Sequence, residues 1–478
     1  LFYYVPISTR HTVEVFHLRP LGDWAVRPPF ALAGFYAGIL AALFGFYLMA
    51  YRETGRLAGG ERRAARGAVY AGTAAVILVL LFLPSLLSKD VFDYMVQGRI
   101  LVLHRANPFQ ISGSAFGSDA FVRAMGWPQY TTLYGPGWVS ACALLSWLAP
   151  GNLAGSLLVY KAVFAAVHLA NGLIIAALLR GWGRDPLGGE ILYLWNPLVI
   201  LEVVGQGHND GFLMLWALLG LLLIQRRESI RTFYDESLGT VCMTISILIK
   251  YVTGPLLVFL LAARWRERGG VRGLVRAIGL AFVALGVALV GYMPYASGMD
   301  FFNFLRPYNH GSYQGGTLML LNMVLHKFMG ETGLGGERAG DIMLLTGTVL
   351  ALLTLALALL LAFRTRNEQD VARNGLIVLF GYILVVTALL RVSYGVWIVS
   401  LAVLVAPGLL RRSALIFSAS VMTLDIFWVF AIRSMGSGAP VYREQALSAV
   451  VAVGVPISYL LAGVARKKAW IKAAGGQE

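Results

Sequence analysis

Residues 341–363 read DIMLLTGTVLALLTLALALLLAF, a run with no charged side chain after its first residue. A helix of this length crosses the hydrocarbon core of a bilayer, which is about 30 Å thick. Similar runs recur along the chain, and they are continuous rather than alternating, which excludes a transmembrane β-barrel. The sequence therefore predicts an all-α polytopic membrane protein with 12 or 13 membrane segments, some of them short or re-entrant. The predicted segments are 29–50, 67–87, 134–150, 153–179, 188–205, 210–225, 238–263, 273–295, 341–363, 374–390, 395–410, 414–432 and 446–465.

The composition excludes a soluble fold. Of the 478 residues, 58% are hydrophobic and 13% are charged, whereas soluble domains carry about 25% charged residues. Cys142 and Cys242 lie inside apolar runs, so neither a disulfide framework nor a cysteine metal site is expected. We expect residues 1–478 to form a single transmembrane domain. Because the chain starts at Leu1, we also expect its N-terminal end to be incomplete.

The net charge of +15 is explained by membrane orientation rather than by nucleic acid binding. Basic residues are concentrated in 52–66, 180–187, 225–237, 264–276, 364–373, 411–413 and the tail from 464. The positive-inside rule places these loops in the cytoplasm, and the long loops 88–133 and 296–340 on the external face. This alternation fails between residues 134 and 264, which contain one crossing too many. Short or re-entrant helices would resolve the conflict, and such backbone is tolerated only inside protein or beside a wet cavity.

The first long external loop contains a cluster of polar residues. It opens with SKDVFDYMVQGRILVLHRANPF, residues 88–109. Asp90 and Asp93 are three residues apart and would share a face of a helix. They either mark the water interface or act in chemistry, with Asp90 as a general base. In the second case we expect Asp93, Arg99 and Asn107 to bind a polar, anionic substrate.

Both long loops also contain interrupted apolar stretches, from Phe121 to Trp127 and from Leu318 to Phe328. Loops of this length are uncommon without a function. We interpret both stretches as interfacial helices that lie on the outer leaflet.

A second polar cluster lies between two apolar runs, in NPLVILEVVGQGHNDGF at residues 196–212. Polar groups at this depth are costly unless they are buried in protein or face water. We predict that His208, Asn209 and Asp210 line a site on the same external side as Asp90.

Cations in apolar surroundings indicate where an anion would bind. Lys250 lies in the middle of an apolar run and Arg391 at the external end of a predicted helix, so both are predicted to bind phosphate. Arg306 and His310 of the second long loop either join them or anchor the interface. Tyr134, in LYGPGW, and Tyr394, in LLRVSYG, complete the predicted substrate-binding set.

The chain contains no phosphate-binding P-loop, dinucleotide glycine fingerprint, HExxH motif or nucleophile elbow. Nucleotide-driven transport and hydride transfer are therefore not expected. The residues alone point to a membrane-embedded external site of carboxylates, amides and cations.

The order of these motifs resembles the GT-C superfamily of polytopic glycosyltransferases. The motifs are SKDVFDYMVQGR, ANPF, LYGPGW, LWNPLVILEVVGQGHNDGF and IKYVTGPLLVFL, within about 67–265. They are most similar to the bacterial polyprenol-phosphate-mannose-dependent α-(1→6)-mannosyltransferases. The sequence departs from that pattern at Phe109, where Tyr is common, and at Gly137, which precedes Trp138.

The resemblance implies an inverting enzyme in the bacterial inner membrane. Asp90 would deprotonate an acceptor hydroxyl, which attacks a polyprenyl-phosphate sugar, with mannose the best single choice. The acceptor would be a lipid or glycan, and the site would face the extracytoplasmic side. No cofactor is required, and the need for a divalent metal is left open.

Two alternatives remain at this point. One is a GT-C enzyme that uses another lipid-phosphate sugar, such as a pentose or aminopentose. The other is a secondary transporter or a lipid-linked-sugar flippase, since intramembrane ionisable residues suit ion coupling. The sequence leaves open the acceptor, the linkage, the oligomeric state and the number of crossings between 134 and 264.

Overall fold

A computed structural model describes residues 29–83, 85, 87–149, 151–225, 232–296, 314–330, 333–426 and 442–474. These residues form helices joined by short turns and loops, and their only β-type pairing is an isolated bridge between Gln314 and Leu389. The helices are α1 (Pro29–Glu53), α2 (Gly59–Phe82), α3 (Asp90–Val102), α4 (Pro136–Leu148), α5 (Leu153–Gly181), α6 (Pro186–Leu194), α7 (Pro197–Ile200), α8 (Asp210–Ile224), α9 (Phe233–Ile249), α10 (Gly254–Arg268), α11 (Gly270–Tyr292), α12 (Thr317–Met329), α13 (Gly333–Ala362), α14 (Glu368–Gly381), α15 (Gly395–Leu404), α16 (Leu409–Ser420), α17 (Thr423–Asp425), α18 (Tyr442–Ala449) and α19 (Val455–Ala474).

The protein is an all-α polytopic membrane protein, as the apolar pattern predicts. Within the described residues, seven helices are long and apolar enough to cross a membrane. A further apolar pair, Pro186–Leu194 and Pro197–Gly205, is bent by 54° and forms either a broken span or a re-entrant loop. We refer to this pair, with the turn that follows it to Asn209, as the broken span. Shorter apolar helices, such as α4 and α8, account for the predicted segments that are too short to cross alone.

The predicted irregularity between 134 and 264 corresponds to two breaks. At the first, the Asn196 side chain accepts hydrogen bonds from the N–H groups of Leu198 and Val199 and so caps α7. At the second, the predicted segment 238–263 divides into α9 and α10, and Lys250 lies between them.

The two predicted interfacial helices have different outcomes. The stretch from Leu318 to Phe328 is helical, within α12. The prediction for Phe121 to Trp127 is wrong, because only a 3-10 turn forms there, at Val122–Ala124. The regular helix of the first long loop is instead α3, which begins at Asp90.

A close helix pair places two of the polar residues. α8 and α9 are antiparallel, and at Gly220 an added Cβ would lie 2.9 Å from the Gly239 carbonyl oxygen. At Gly239 an added Cβ would lie 3.0 Å from the Gly220 oxygen. Only glycine allows this approach, which is typical of small residues at helix contacts in lipid. The pair brings Asp210, at the start of α8, beside Lys250, at the end of α9.

The loops that the charge pattern assigns to one side do meet at one end of the molecule. Arg62 pairs with Asp185, and Arg184 donates to Gln369. Arg264 pairs with Glu368 at 2.6 Å. α9 has 17 residues and so extends about 25 Å. It therefore separates this basic end from Lys250.

Candidate active site

The turn before α3 is held by the broken span. The Gln206 side-chain oxygen accepts hydrogen bonds from the N–H groups of Leu87 at 2.9 Å and Ser88 at 3.3 Å. The Ser85 hydroxyl donates to the Gln206 carbonyl at 2.8 Å. Gly207 follows with a φ of +73°, a conformation that side chains rarely adopt. These contacts fix the start of α3 and with it Asp90.

Asp90 and His208 form the first part of the site. The Asp90 side chain is 33% exposed, and its Oδ2 lies 3.6 Å from His208 Nε2. His208 Nε2 also lies 3.0 Å from the Ser88 hydroxyl oxygen, and its Nδ1 lies 2.9 Å from Glu202 Oε2. Burial opposes charging of the imidazole, but the carboxylates of Glu202, Asp90 and Asp210 together outweigh burial and raise the pKa of His208 to about 9. An imidazolium therefore lies between two carboxylates at neutral pH.

Asp93 lies behind Asp90 and is buried. Its Oδ1 accepts hydrogen bonds from the N–H groups of Gly126 at 3.1 Å and Trp127 at 3.2 Å. Burial, assisted by the nearby Asp90 charge, raises the pKa of Asp93 to about 8. Asp93 therefore ties the long loop to α3 and holds a proton at neutral pH.

Lys250 and Asp210 form the second part. Lys250 Nζ donates to Asp210 Oδ1 at 2.9 Å, and the Asp210 side chain is 1% exposed. The same oxygen accepts from the Trp397 indole N–H. The Lys250 ammonium lies 5.0 Å from the ring centres of Trp397 and Tyr394 and 5.8 Å from that of Tyr134. A cation inside aromatic walls of this kind is desolvated but stabilised.

The two parts belong to one site. The Tyr134 hydroxyl lies 3.3 Å from the Tyr94 hydroxyl of α3. Both Asp90 and Asp210 act electrostatically on Tyr134, and Asp90 also acts on Lys250. A carboxylate that reaches solvent and a partly exposed cation therefore border the same space.

Other predicted residues have contacts elsewhere. Arg99 donates two hydrogen bonds to Asp119, at 2.9 and 3.1 Å. It is nine residues after Asp90, about 13 Å along α3. The Asn107 amide donates to the Tyr295 carbonyl at 3.2 Å. Both residues hold the long loop in place.

The remaining predicted residues have no described side-chain contact with the site or lie outside the described residues. Asn209 is fully buried, and its side-chain amide has no hydrogen-bond partner among the described residues. Arg391 is exposed at the start of the turn that leads to Tyr394. Arg306 and His310 lie outside the described residues. In the part of the chain that the structure covers, no group of three or more His, Cys, Asp or Glu side chains is placed to hold a metal ion.

The predicted substrate-binding set omits two residues of this site. Glu202 belongs to the polar cluster at 196–212, eight residues before Asp210, but the sequence gives no reason to assign it a role of its own. Trp397 lies in the apolar helix α15, where an aromatic residue gives no signal.

The sequence model of one protein family, described as alpha-(1->6)-mannopyranosyltransferase, N-terminal domain, matches residues 8–266. Alpha-(1->6)-mannopyranosyltransferase A of Corynebacterium glutamicum is 24% identical over 157 residues, which are 32% of this chain and 31% of that protein. The B protein of the same species is 26% identical over 144 residues, 29% of this chain and 23% of that protein.

A third relative is named probable alpha-(1->6)-mannopyranosyltransferase, from Mycolicibacterium smegmatis. It is 25% identical over 288 residues, which are 53% of this chain and 50% of that protein. The matched part of the chain thus spans between about a quarter and one half of the length of these relatives. The match to the family model contains Asp90, His208, Asp210 and Lys250, and it ends before Trp397.

Proposed function

Since this chain belongs to the alpha-(1->6)-mannopyranosyltransferase N-terminal domain family, we propose that it is an inverting mannosyltransferase. It takes a mannosyl group from a polyprenyl-phosphate donor and passes it to a hydroxyl of a lipid or glycan acceptor. The single observation that carries this proposal is the Asp90 carboxylate, held at the start of α3 beside His208 and in the same site as Lys250.

The reaction needs one base and one anion site. Asp90 takes the proton of the acceptor hydroxyl while that oxygen attacks the anomeric carbon of the sugar. The bond between the anomeric carbon and the phosphate oxygen breaks, and the lipid phosphate leaves with the electron pair. Attack from the opposite face inverts the anomeric configuration, and Asp90 returns its proton to solvent, which its 33% exposure allows.

Lys250 is the group that would hold the donor phosphate. The Lys250 side chain is 21% exposed, and its ammonium is fixed by Asp210, with 2.9 Å between Nζ and Oδ1. The rings of Tyr134, Tyr394 and Trp397 keep water from this cation and so strengthen its attraction for a phosphate. Arg391 lies on the same turn as Tyr394 and is the second candidate for the phosphate.

An apolar groove beside Lys250 would take the lipid chain of the donor. It has a volume of about 420 Å³. The groove lies between α4, α9 and α11 and is lined by Gly137, Ile245, Leu248, Val283, Gly286, Val287, Val290 and Gly291. Leu248 is two residues before Lys250, and Gly137 is three residues after Tyr134. A donor would therefore place its phosphate at Lys250 and its first isoprene units in the groove.

The distribution of charge supports an extracytoplasmic site. Asp90 and Lys250 lie at one end of the helices. Arg184 and Arg264 lie at the opposite end, in two of the loops where basic residues are concentrated. The positive-inside rule assigns the basic end to the cytoplasm.

Replacement of Asp90 by Asn tests the proposal. With purified protein and polyprenyl-phosphate mannose, the rate of transfer to membrane lipid extract should fall at least about a hundredfold, because a general base contributes that much or more. The matched control is Asp341→Asn, at an exposed aspartate of α13, which should keep the original rate.

Three outcomes would contradict all or part of the proposal. Full transfer by well-folded Asp90→Asn protein would show that Asp90 is not the general base. Transfer from another lipid-phosphate sugar but not from mannose would keep the class of enzyme and change the donor. Sugar movement across sealed vesicles without any transfer would favour the transporter or flippase instead.

A further inference from the structure

The broken span does more than line the site, because its second half holds the turn that carries Asp90. The Gln206 side-chain oxygen accepts hydrogen bonds from the N–H groups of Leu87 and Ser88. The Ser88 hydroxyl oxygen in turn accepts the Asp90 N–H at 3.1 Å and lies 3.0 Å from His208 Nε2. The position of Asp90 therefore depends on residues 206 and 208, which are more than a hundred residues away in sequence.

Glu202 continues this chain of contacts into the protein. Its side chain is 4% exposed, and its Oε2 lies 2.9 Å from His208 Nδ1. It lies in the π-helical turn Leu201–Gly205, which follows α7. A buried carboxylate in contact with a buried imidazole holds the ring in one orientation and favours its charged form.

We propose that Glu202 and His208 are a positioning pair for Asp90: Glu202 orients the His208 ring, and His208, together with Ser88, holds the Asp90 carboxylate in place. This proposal rests on the proposed function, because it assigns a role to residues that act through the base. It differs from a substrate-binding role for His208, since one ring nitrogen faces Glu202 and the other faces Ser88 and Asp90.

The groups around the pair show which of them can hold Asp90. His208 is faced by the carboxylates of Glu202 and Asp90 and also by Asp210. Asp425 of α17 also acts on Glu202 and His208. Of the groups on which Asp90 acts, Asp93 and Tyr94 belong to its own helix, whereas His208, Tyr134 and Lys250 come from other elements. Among these three, His208 has the described contact with the Asp90 carboxylate, at 3.6 Å.

Loss of the His208 ring should therefore release the Asp90 carboxylate from this contact. A base that is no longer held towards the acceptor hydroxyl takes its proton less often, so kcat should fall about tenfold or more at every pH. KM for the donor should change little, because His208 acts on the base and not on the donor.

Two variants make the test. His208→Gln removes the cation and leaves the buried Glu202 carboxylate unpaired with it, which destabilises the folded state. Glu202→Gln combined with His208→Gln removes both charges and keeps two amides of similar shape. Both variants should show the lower kcat, with KM for the donor within about twofold of the original. A substitution at Glu202 should add little once His208 is replaced, because Glu202 acts through it.

The results separate this proposal from the one on which it rests. An unchanged kcat in the folded double variant, with a raised KM for the donor, would make His208 a substrate-binding residue and overturn the positioning role. Activity retained by Asp90→Asn would overturn the base itself. An inactive Asp90→Asn variant together with a lowered kcat and an unchanged KM in the double variant supports both proposals.

Discussion

Asp93 is a carboxylic acid that the fold keeps protonated at neutral pH, since burial raises its pKa to about 8. An unfolded chain would hold this proton only below about pH 4. Between these values the folded state binds more protons than the unfolded state, so the stability of the protein falls as the pH rises from about 4 to 8. The same carboxyl group lies close enough to Asp90 to repel a second negative charge there.

The stability of the Asp93→Asn variant, relative to that of the original protein, should therefore increase as the pH rises. An amide stays neutral, and its oxygen still accepts the N–H groups of Gly126 and Trp127. Relative to the original protein, the thermal unfolding midpoint of the variant in detergent should rise by about 2 to 5 °C between pH 5 and pH 8. Midpoints that keep a constant difference over this range would contradict a protonated Asp93.

Asp119 provides the control of opposite sign. Burial favours its neutral form, but the hydrogen bonds from Arg99, the Phe121 N–H and His104 together outweigh burial and lower the pKa of Asp119. Its contribution to stability is present above about pH 4 and is lost as the pH falls below it. Asp119→Asn should therefore destabilise the protein at both pH 5 and pH 8.

At the scale of single residues, sequence reasoning identifies polar side chains but not their partners. Asp90, His208 and Asp210 are visible because ionisable residues are rare at membrane depth. Arg99 and Asn107 belong to the same polar run, yet their partners are Asp119 and the Tyr295 carbonyl. Such pairings depend on how the loop folds back, and the local sequence does not contain that information.

At the scale of helices, charge alternation predicts that the backbone breaks between 134 and 264 but not where. The breaks occur before Pro197 and at Lys250, where a capping amide and a buried ion pair replace helical hydrogen bonds. The helix expected over Phe121 to Trp127 does not form. Its backbone N–H groups at Gly126 and Trp127 instead donate to Asp93, which competes with helical pairing.

The groove between α4, α9 and α11 gives a prediction about lipid chains. At Gly286 an added Cβ would meet no atom within 4 Å, so a larger residue would enter the groove without a clash. Gly286→Leu should lower kcat/KM for a long-chain polyprenyl-phosphate donor by about tenfold or more, because the chain loses apolar contact. A donor with a truncated chain should be transferred at nearly the original rate.

Gly45→Leu is the matched control for the groove. Gly45 lies in α1, and an added Cβ there also meets nothing within 4 Å. This variant should leave transfer from both donors unchanged. Equal effects of the two variants, or equal losses with long and truncated donors, would exclude the groove as the lipid site.

At the scale of the whole molecule, a buried ion-pair network joins the two halves of the chain. Arg264 is 1% exposed on its side chain and pairs with Glu267 at 2.5 Å and Glu368 at 2.6 Å, with Glu236 at 3.7 Å. The family match ends at residue 266, so Glu368 belongs to the part beyond it. The matched part is therefore packed against the remainder of the protein rather than separate from it.

Replacement of this arginine should lower the free energy of unfolding of the protein. Arg264→Met leaves buried carboxylates without their cation, and we expect a loss of about 3 to 5 kcal/mol in the free energy of unfolding. Arg266→Met, at an exposed position of the same helix, should change it by less than about 1 kcal/mol. Thermal or denaturant unfolding in detergent measures both, and equal stability of the two variants would show that the network contributes nothing.

The Trp397 indole reaches Asp210 across 187 residues of sequence, and this has a consequence for biosynthesis. Ribosomes build the chain from its N-terminus, so Asp90, Asp210 and Lys250 enter the membrane well before Trp397 is made. Until then the lysine lacks two of its three aromatic walls, and Asp210 lacks the indole N–H. Under the proposed function, a polypeptide arrested before residue 397 should therefore be an inactive membrane protein, although it already contains Asp90.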